Sequence, residues 1–296
     1  MNTLIIENLT KTYPNGVKAL NGINLTITNG MFGLLGANGA GKSSLMRTIA
    51  SLQEPTSGTI SFNNSDVVQK PDEIRKKLGY LPQEFGVYPK ISAEKLLNHL
   101  AVLKGILSKK QRKEQVTALL QQVNLYQHRK KSVATFSGGM RQRFGIAQAL
   151  LANPQIIIVD EPTAGLDPEE SNRFLNLLSE IGENVIVILS THIVEDVRNL
   201  CPKMAILSEG EIISQGNPRD LVASIEGKIL TKIIPKADID IYKKAFHVIS
   251  TKLVSGETQI RVLSANKPET GFDTITPNLE DYYFTTLFNQ SLKKAS

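Results

Sequence analysis

A glycine-rich stretch near the N-terminus has the residue types and the spacing to hold a polyphosphate. Residues 36–43 follow the pattern G-x-x-x-x-G-K-S, in which small residues leave successive backbone N–H groups open to phosphate oxygens. Lys42 would reach the β- and γ-phosphates, and the Ser43 hydroxyl would complete the coordination shell of a Mg²⁺ ion. We therefore predict a phosphate site made by Gly36, Asn38, Gly39, Ala40, Gly41, Lys42, Ser43 and Ser44.

The elements on either side of this loop are predicted to aim it at an anion. Residues 31–35 form a short apolar run that is typical of a buried strand, and residues 44–50 have helix-compatible spacing. The N-terminus of such a helix presents free N–H groups and the positive end of its dipole. This strand–loop–helix context favours a phosphate site over a chance match to the pattern.

Two adjacent carboxylates follow a second predicted strand. Residues 156–159 and 185–189 are continuous apolar runs, as in the central strands of a parallel sheet. Asp160 and Glu161 then fall at the carboxyl edge of the sheet, where α/β proteins bind their ligands. Asp160 suits Mg²⁺ coordination, and Glu161 suits polarising an attacking water. The plainer alternative is that both acids only begin the following loop.

Length and composition indicate an ordinary globular chain. Its 296 residues suggest about two domains, and the contents of 41% hydrophobic and 21% charged residues are unexceptional. No apolar stretch approaches the ~18 residues that span a bilayer, and no secretory signal is evident at the N-terminus. The single cysteine, Cys201, excludes an internal disulfide and fits a reducing cytosol. The net charge of +6 suits a nucleotide, an anionic lipid or a nucleic acid alike.

The first two thirds of the chain divide into three kinds of pattern. Residues 3–9 and 17–28 alternate apolar and polar positions, which predicts half-exposed antiparallel strands. Residues 92–151 predict a helical insert, whose apolar positions at near-helical spacing are Leu96, Leu97, Leu100, Leu103, Leu107, Val116, Leu119, Leu120 and Val123. After the insert, strands and helices alternate, which predicts an α/β sheet covered on both faces.

The last third predicts a separate small domain. Residues 203–216 indicate a closing hairpin, and Asn217 and Pro218 have the residue types of an N-cap and a first helical position. We place a domain boundary near residues 224–228, so that residues 1–224 and 225–296 form two domains. Strand patterns at 228–234 and 248–263, with a helical pattern at 239–246, predict an α+β fold for the second.

A third chemical motif lies inside the helical insert. Ser137 is a good N-cap for the helix that follows, and Gly138 and Gly139 would leave its first N–H groups open to an anion. By itself this pattern usually marks only a turn. In combination, however, the order of motifs resembles the ATP-binding subunits of ABC transporters over residues 1 to about 224: the phosphate loop, Gln83, residues 136–140, Asp160 with Glu161, residues 164–167, and His192.

The resemblance implies a fold and an assembly. The fold is a P-loop NTPase (RecA-like) α/β core with an antiparallel β subdomain and a helical insert. Two such domains clasp two ATP molecules, with Mg²⁺, in a head-to-tail dimer of this chain with itself or with a paralogous ATPase subunit. The phosphate loop of one subunit then faces the helix that begins after Ser137 in the other.

The resemblance also implies roles for single residues. Tyr13 would stack on adenine, Gln83 would meet Mg²⁺ and the attacking water, Asp167 would cross the dimer interface, and His192 would contact the γ-phosphate. Without the resemblance, Tyr13 would be an exposed strand-end tyrosine, Gln83 an exposed loop residue and His192 a structural histidine. The intact Glu161 predicts an ATPase that hydrolyses its nucleotide.

Two sequence details point to one branch of the family. The form Phe-Ser-Gly-Gly-Met-Arg-Gln-Arg at residues 136–143, with a short carboxyl appendix, resembles the drug, polysaccharide and lipid exporter branch, and residues 277–284 resemble its closing Leu-Glu-Asp helix. Within this form, Phe136 stands where leucine is usual in the family and Met140 where glutamine is frequent. This branch implies a separate membrane-spanning subunit, which docks near Gln83 and residues 84–89, and a peripheral location on the cytoplasmic face of the membrane. No nucleic-acid partner is expected.

Two alternatives stay open at this point. A soluble ABC-type ATPase of a cofactor-assembly complex, with no transport role, would also have one such domain. The basic residues of the insert are read as a solvated charged surface, with a lipid-headgroup contact as the less favoured interpretation. They are Lys109, Lys110, Arg112, Lys113, Arg129, Lys130 and Lys131.

Overall fold

The chain folds into two units. The structure is a computed structural model, and it describes residues 1–83, 86, 90–163, 166–264 and 271–295. The first unit comprises Met1–Pro202 and Leu207–Ile212, and the second comprises Lys203–Ile206 and Ile213–Ser296. This division falls earlier in the chain than the boundary expected near residues 224–228, which stays a prediction.

The first unit contains eight complete strands and seven α-helices among its described residues. The strands are β1 (Thr3–Thr12), β2 (Lys18–Thr28), β3 (Gly30–Leu35), β4 (Ser57–Phe62), β5 (Ser65–Asp66), β6 (Leu78–Leu81), β7 (Ile156–Asp160) and β8 (Ile186–Thr191). The helices are α1 (Lys42–Ile49), α2 (Pro71–Lys77), α3 (Ala93–Leu103), α4 (Lys109–Gln122), α5 (Gly138–Ala149), α6 (Pro168–Gly182) and α7 (Val194–Leu200). Short 3₁₀ helices cover Tyr126–His128 and Val133–Thr135.

One sheet of the first unit is antiparallel, in the order β2-β1-β4-β5. β1 pairs with β2 and with β4, so that Ile6 lies opposite Leu25 on one side and Ile60 on the other. These three side chains are buried, and the alternate positions Ile5 and Thr26 are more exposed. The period-2 pattern of the N-terminal residues therefore predicted this sheet correctly.

The second sheet contains parallel strands in the order β3-β8-β7-β6. Every residue of β7 and β8 is buried, as expected for strands covered by helices on both faces. The register pairs Leu35 with Thr191, Asp160 with Ser190, and Leu81 with Val159. The carboxyl ends of the four strands consequently meet at one edge, and the predicted α/β arrangement is confirmed.

The helical insert consists mainly of α3, α4 and α5. Ser92 and Ser108 cap α3 and α4, because their hydroxyls accept hydrogen bonds from backbone N–H groups three residues later. The predicted apolar positions of α4 are buried, and so are Leu96 and Leu97. Leu103 is the last residue of α3, as its spacing predicted, and is 70% exposed, whereas Leu107 lies outside the helix and is 78% exposed.

The helical spacing is not followed as far as Leu107 because α3 ends before it. The helix stops at Leu103, and Gly105 follows in the left-handed conformation with φ 88°. The backbone N–H of Ile106 donates to the carbonyl of Ala101, which closes the helix end. Leu107 therefore lies outside the helix whose spacing it continues.

The remaining elements belong partly or wholly to the second unit. Strands β9 (Lys203–Ser208) and β10 (Glu211–Gly216) form the predicted hairpin. They are followed by α8 (Pro218–Ala223), β11 (Ile229–Ile234), a 3₁₀ helix (Lys236–Asp238), α9 (Ile239–Ala245), β12 (Val248–Val254), β13 (Glu257–Leu263), β14 (Asp273–Thr274) and α10 (Leu279–Ala295). Asn217 caps α8 by accepting from the N–H of Arg219, as its residue type predicted.

The second unit is built on an antiparallel sheet in the order β12-β13-β11-β14. α9 supplies Ile239 and Tyr242 to a cluster around Leu230. α10 supplies Tyr282 and other aromatic side chains to a cluster around Ile229. Because neighbouring residues of a strand point to opposite faces, the two helices cover opposite faces of the sheet.

Candidate nucleotide-binding site

The phosphate loop has a backbone that only glycine accommodates at two of its positions. It connects β3 to α1, as the sequence predicted. Gly41 has φ 108°, and a Cβ atom there would lie 2.4 Å from the carbonyl oxygen of Ala19. A Cβ on Gly36 would lie 2.4 Å from the carbonyl oxygen of Leu207. The close packing behind the loop therefore excludes side chains, and the backbone itself must form the ligand surface.

Lys42 is buried at the first position of α1, inside the loop that precedes it. Its Nζ donates to the carbonyl oxygens of Gly36, at 2.8 Å, and Ala37, at 3.2 Å. The same Nζ lies 3.2 Å from Oε1 of Glu161. Buried ammonium groups need such partners, because desolvation disfavours an isolated charge. The lysine is thus held by the loop and joined to the predicted catalytic carboxylate.

Glu161 follows β7 in an unusual backbone conformation. Its φ is 50°, in the left-handed region that a non-glycine residue adopts at a cost of about 1–3 kcal/mol. Its N–H donates to the carbonyl of Ser190 at 2.9 Å, which holds the turn against β8. Its Oε2 lies 2.6 Å from Nδ1 of His192, a side chain 48% exposed. One buried carboxylate therefore joins Lys42 on one side and His192 on the other.

Asp160 meets the requirement for a residue that holds Mg²⁺. It is buried, and its Oδ1 has no hydrogen-bond partner among the described residues. Burial, and next the charge of Asp160, raise the pKa of Tyr80 on the neighbouring strand β6. A buried carboxylate oxygen without a partner is costly, and a hydrated cation would satisfy it.

The described residues contain no cluster of three His, Cys, Asp or Glu side chains that could hold a metal. Mg²⁺ does not require one, since it commonly takes one or two protein ligands together with phosphate oxygens and waters. Asp160 and Ser43 fit such a site. Ser43 is the second residue of α1 and follows directly after the buried lysine.

Two further predicted residues lie near this edge of the sheet. Tyr13 is close to the phosphate loop, since its hydroxyl lies 3.0 Å from Oγ of Ser44 and donates to Oε1 of Gln53 at 3.1 Å. Gln83 is exposed and comes two residues after Leu81, so the strand register brings it to the edge that carries Asp160. Adenine stacking by Tyr13 and the Mg²⁺ contact of Gln83 stay predictions.

The signature residues form a separate helix start. Ser137 caps α5, as predicted, because its Oγ accepts from the N–H of Met140 at 3.2 Å. A Cβ on Gly139 would lie 2.7 Å from Oε2 of Glu170, so the end of that side chain would have to shift to admit it. Within the described part of the chain, no hydrogen bond connects residues 137–139 to residues 36–44. Within one copy of the chain, the two predicted phosphate-binding elements therefore do not bond to each other among the described residues.

Asp167 also has a local role. It caps α6 by accepting from the N–H of Glu170 at 2.8 Å, and its side chain is exposed. Leu166 is described, whereas Ala164 and Gly165 of the same predicted motif lie outside the described residues. The passage of Asp167 across a dimer interface stays a prediction.

Sequence reasoning missed a buried pair beside Glu161. Thr163 donates from its Oγ1 to Oδ2 of Asp196 at 2.8 Å, and both residues are buried. Burial raises the pKa of Asp196, the Thr163 hydrogen bond opposes that shift, and the charge of Glu161 adds to it. The only sequence signal was an acid one helical turn after His192.

Comparison with known proteins agrees with this geometry. The family model for ABC transporters matches residues 20–164. The linearmycin resistance ATP-binding protein LnrL of Bacillus subtilis is 34% identical over 230 residues, which are 77% of this chain and 73% of LnrL. The ABC transporter ATP-binding protein NatA of Bacillus subtilis is 36% identical over 73% of this chain and 89% of NatA. The methionine import protein MetN 1 of Pseudomonas putida is 39% identical over 68% of this chain and 62% of MetN 1.

Solved structures show the same fold. An ATP-binding subunit of an ABC transporter superposes with a TM-score of 0.67 at 29% identity, over 75% of this chain and 92% of that one. A post-hydrolysis dimer of the ATP-binding cassette MJ0796, bound to ADP and Pi, superposes with a TM-score of 0.66 at 28% identity, over 72% and 98%. The fold is that of the P-loop NTPases. The chain belongs to the ABC transporter ATP-binding subunits and hydrolyses ATP with Mg²⁺.

Proposed function

We propose that this ATPase closes head to tail, on ATP, with a second copy or a paralogous subunit. Two helix starts supply anion-binding N–H groups, one after the phosphate loop and one after Ser137, and no hydrogen bond joins them within the described part of one chain. In a head-to-tail dimer, the helix start after Ser137 of each subunit would face the phosphate loop of the other subunit. Each ATP would then contact both chains, so binding closes the dimer and hydrolysis opens it.

Within each closed site, the residues around Glu161 would have separate roles in ATP hydrolysis. Glu161 would accept a proton from the attacking water, and His192, 2.6 Å from its Oε2, would hold that carboxylate and contact the γ-phosphate. Lys42 would exchange its loop carbonyls for phosphate oxygens. Mg²⁺, held by Asp160, Ser43 and Gln83, would neutralise phosphate charge. Tyr13 would stack on adenine, and Asp167 would cross to the other subunit.

We further propose that the chain drives a separate membrane-spanning subunit and lies on the cytoplasmic face of the membrane. None of the described helices is long and apolar enough to cross a bilayer. The observation that supports a docked partner is a groove of about 280 Å³ between the insert and the core, which we call the docking groove. Its lining residues are Ala50, Leu52, Arg75, Leu78, Gly79, Tyr80, Leu100, Leu103, Lys104, Gln148, Ala149 and Leu151.

The docking groove suits an amphipathic helix of a partner. Leu52 and Leu103 are exposed on its walls, and Arg75 and Lys104 add positive charge to its rim. It lies next to β6, the strand that leads to Gln83 and the active edge. Residues 84, 85 and 87–89, where docking was also expected, lie outside the described residues. A helix seated here would thus be coupled to the ATP site through β6.

Export is the direction that we propose. LnrL is named for resistance to linearmycin, and the matched region spans 73% of LnrL and 89% of NatA. MetN 1 is named for methionine import, but the matched region spans only 62% of it. A closing helix with the Leu-Glu-Asp sequence is present in α10, as the exporter branch predicts.

Affinity purification from detergent-solubilised membranes tests the partner. The tagged chain should retain one polytopic membrane protein in stoichiometric amount. Leu52→Arg should lose it. Leu253→Arg should retain it, because Leu253 of β12 is an exposed leucine outside the docking groove. A soluble scaffold in place of the membrane protein would support a cofactor-assembly ATPase and overturn the transport proposal.

A further inference from the structure

We propose that the surface between α3 and α4 binds anionic lipid headgroups directly. We call it the 102–113 surface, and it consists of Val102, Leu103, Leu107, Lys109, Lys110 and Lys113. The binding goes beyond the proposed membrane subunit, because it needs only a lipid surface. One premise rests on the proposed function, namely that this side of the molecule faces the membrane.

The apolar part of the surface is the first observation. Val102, Leu103 and Leu107 are 40%, 70% and 78% exposed, although all three lie within six residues of one another. Val102 and Leu103 lie at the end of α3, and Leu107 lies in the segment that follows it. Of the three, Leu103 alone lines the docking groove as well. Protruding leucines suit insertion between headgroups, while a concave groove suits a protein helix.

The charge of the surface is the second observation. Residues 102–113 contain five basic residues and no acid, and the first acid after them is Glu114. Lys109, Lys110 and Lys113 are exposed at the start of α4. Basic side chains beside exposed leucines are the composition of segments that lie in the headgroup region of anionic membranes.

The backbone of the surface is already formed. Arg112 donates from Nη1 to the carbonyls of Ile106, at 2.9 Å, and Leu107, at 2.6 Å. Lys104 donates from Nζ to the carbonyls of Leu78, at 2.6 Å, and Arg75, at 3.2 Å. The carbonyls of Ile106 and Leu107 therefore have a partner within the chain, and placing them against lipid does not leave them unsatisfied.

The two remaining cations thus have structural roles, and the three lysines are left to bind phosphate groups. Lysine ammonium groups on flexible stems suit a disordered layer of headgroups, since they need no fixed geometry. A protein partner that recognised the same surface would instead require acidic groups at fixed positions. Charge and shape together favour lipid as the occupant.

Co-sedimentation of the purified chain with vesicles tests the proposal. Vesicles of phosphatidylcholine mixed with phosphatidylglycerol should bind the chain, and vesicles of phosphatidylcholine alone should bind it at least about tenfold more weakly. Lys109→Glu with Lys110→Glu should lower partitioning by roughly tenfold or more. Val102→Ser with Leu107→Ser, two exposed positions outside the docking groove, should lower it by a similar factor. Neither pair belongs to the ATP site, so ATPase activity should be retained and reports folding.

A matched pair elsewhere controls for net charge. Lys243→Glu with Lys244→Glu reverses two exposed lysines of α9, and it should leave partitioning unchanged within about twofold. An equal loss in this control would attribute binding to overall charge and overturn the proposal. So would full vesicle binding by the Lys109/Lys110 variant, even if that variant lost the membrane subunit, because the surface would then belong to a protein partner. Neither result would bear on the docking groove, which is tested separately by Leu52→Arg.

Discussion

Each unit buries a carboxylate near the end of an element, and the two units treat it differently. In the second unit, Asp281 of α10 has both oxygens satisfied: Oδ1 accepts from Arg261 at 2.6 Å and Oδ2 from the N–H of Asn278 at 2.9 Å. In the first unit, Asp160 leaves Oδ1 without a partner among the described residues, and Glu161 is held in a left-handed conformation. A buried acid with every bond made stabilises a fold, whereas a buried acid with bonds left open is ready for a ligand.

Glu161→Gln should show the largest effect, because it removes the proposed general base. We expect the turnover number for ATP to fall by roughly 10²–10⁴-fold while ATP still binds. The variant should also accumulate as a dimer, since closure precedes hydrolysis. Steady-state ATPase assays and size-exclusion chromatography with ATP measure both. ATP hydrolysis at the parental rate would contradict the role of Glu161.

Arg261→Met should show the contrasting effect, on stability alone. Removing one partner leaves the buried Asp281 carboxylate short of a bond, so we expect the free energy of unfolding to fall by about 2–4 kcal/mol. Guanidinium denaturation of the full chain, with hydrogen exchange in α10, measures it. Lys252→Met breaks a more exposed pair with Glu280 at 2.5 Å and should cost less than about 1 kcal/mol. Reduced ATPase activity in Arg261→Met under native conditions would contradict the purely structural role that we assign to Asp281.

Lys42→Ala should weaken ATP binding itself. It removes a charge-assisted contact with the phosphates and leaves Glu161 without its cation, so we expect ATP affinity to fall on the order of 10–100-fold. Equilibrium binding of a fluorescent ATP analogue measures this. Ser51→Ala, outside the predicted site, is the control for general damage to this region. Unchanged affinity in Lys42→Ala would overturn the phosphate-loop assignment.

Thr163→Val should give the smallest effect and sharpen the comparison. Losing the hydrogen bond to Asp196 would loosen the turn that carries Glu161, and we expect the turnover number to fall about three- to tenfold at an unchanged KM for ATP. Thr163→Ser retains the hydroxyl and should restore turnover. A rise in KM with turnover unchanged would mean that the pair supports nucleotide binding instead.

Most of the fold could be predicted from local patterns. Alternation predicted β1 and β2, apolar runs predicted β7 and β8, and the Asn217 cap predicted the start of α8. These succeeded because a strand or cap depends on residues close in sequence. The exposed positions of Leu103 and Leu107 could not be predicted, because spacing shows which residues share a face and not what covers that face. The left-handed turn at Gly105 also ends α3 before the apolar spacing, which continues to Leu107, comes to its end.

The sequence by itself determined the chemistry of the first unit: a loop that surrounds phosphates, an acid pair after a buried strand, and a helix start with two glycines. These features depend on residue type and short spacing, so they can be recognised from the sequence. Only the tertiary structure decided that Lys42, Glu161 and His192 come together, that Asp160 keeps an open oxygen, and that Asp281 does not. Those facts depend on strand register and on packing between segments that lie 20 residues apart for Asp281 and Arg261 and 31 apart for Glu161 and His192. Lys42 and Glu161 are more distant still in sequence, and no local pattern encodes such contacts.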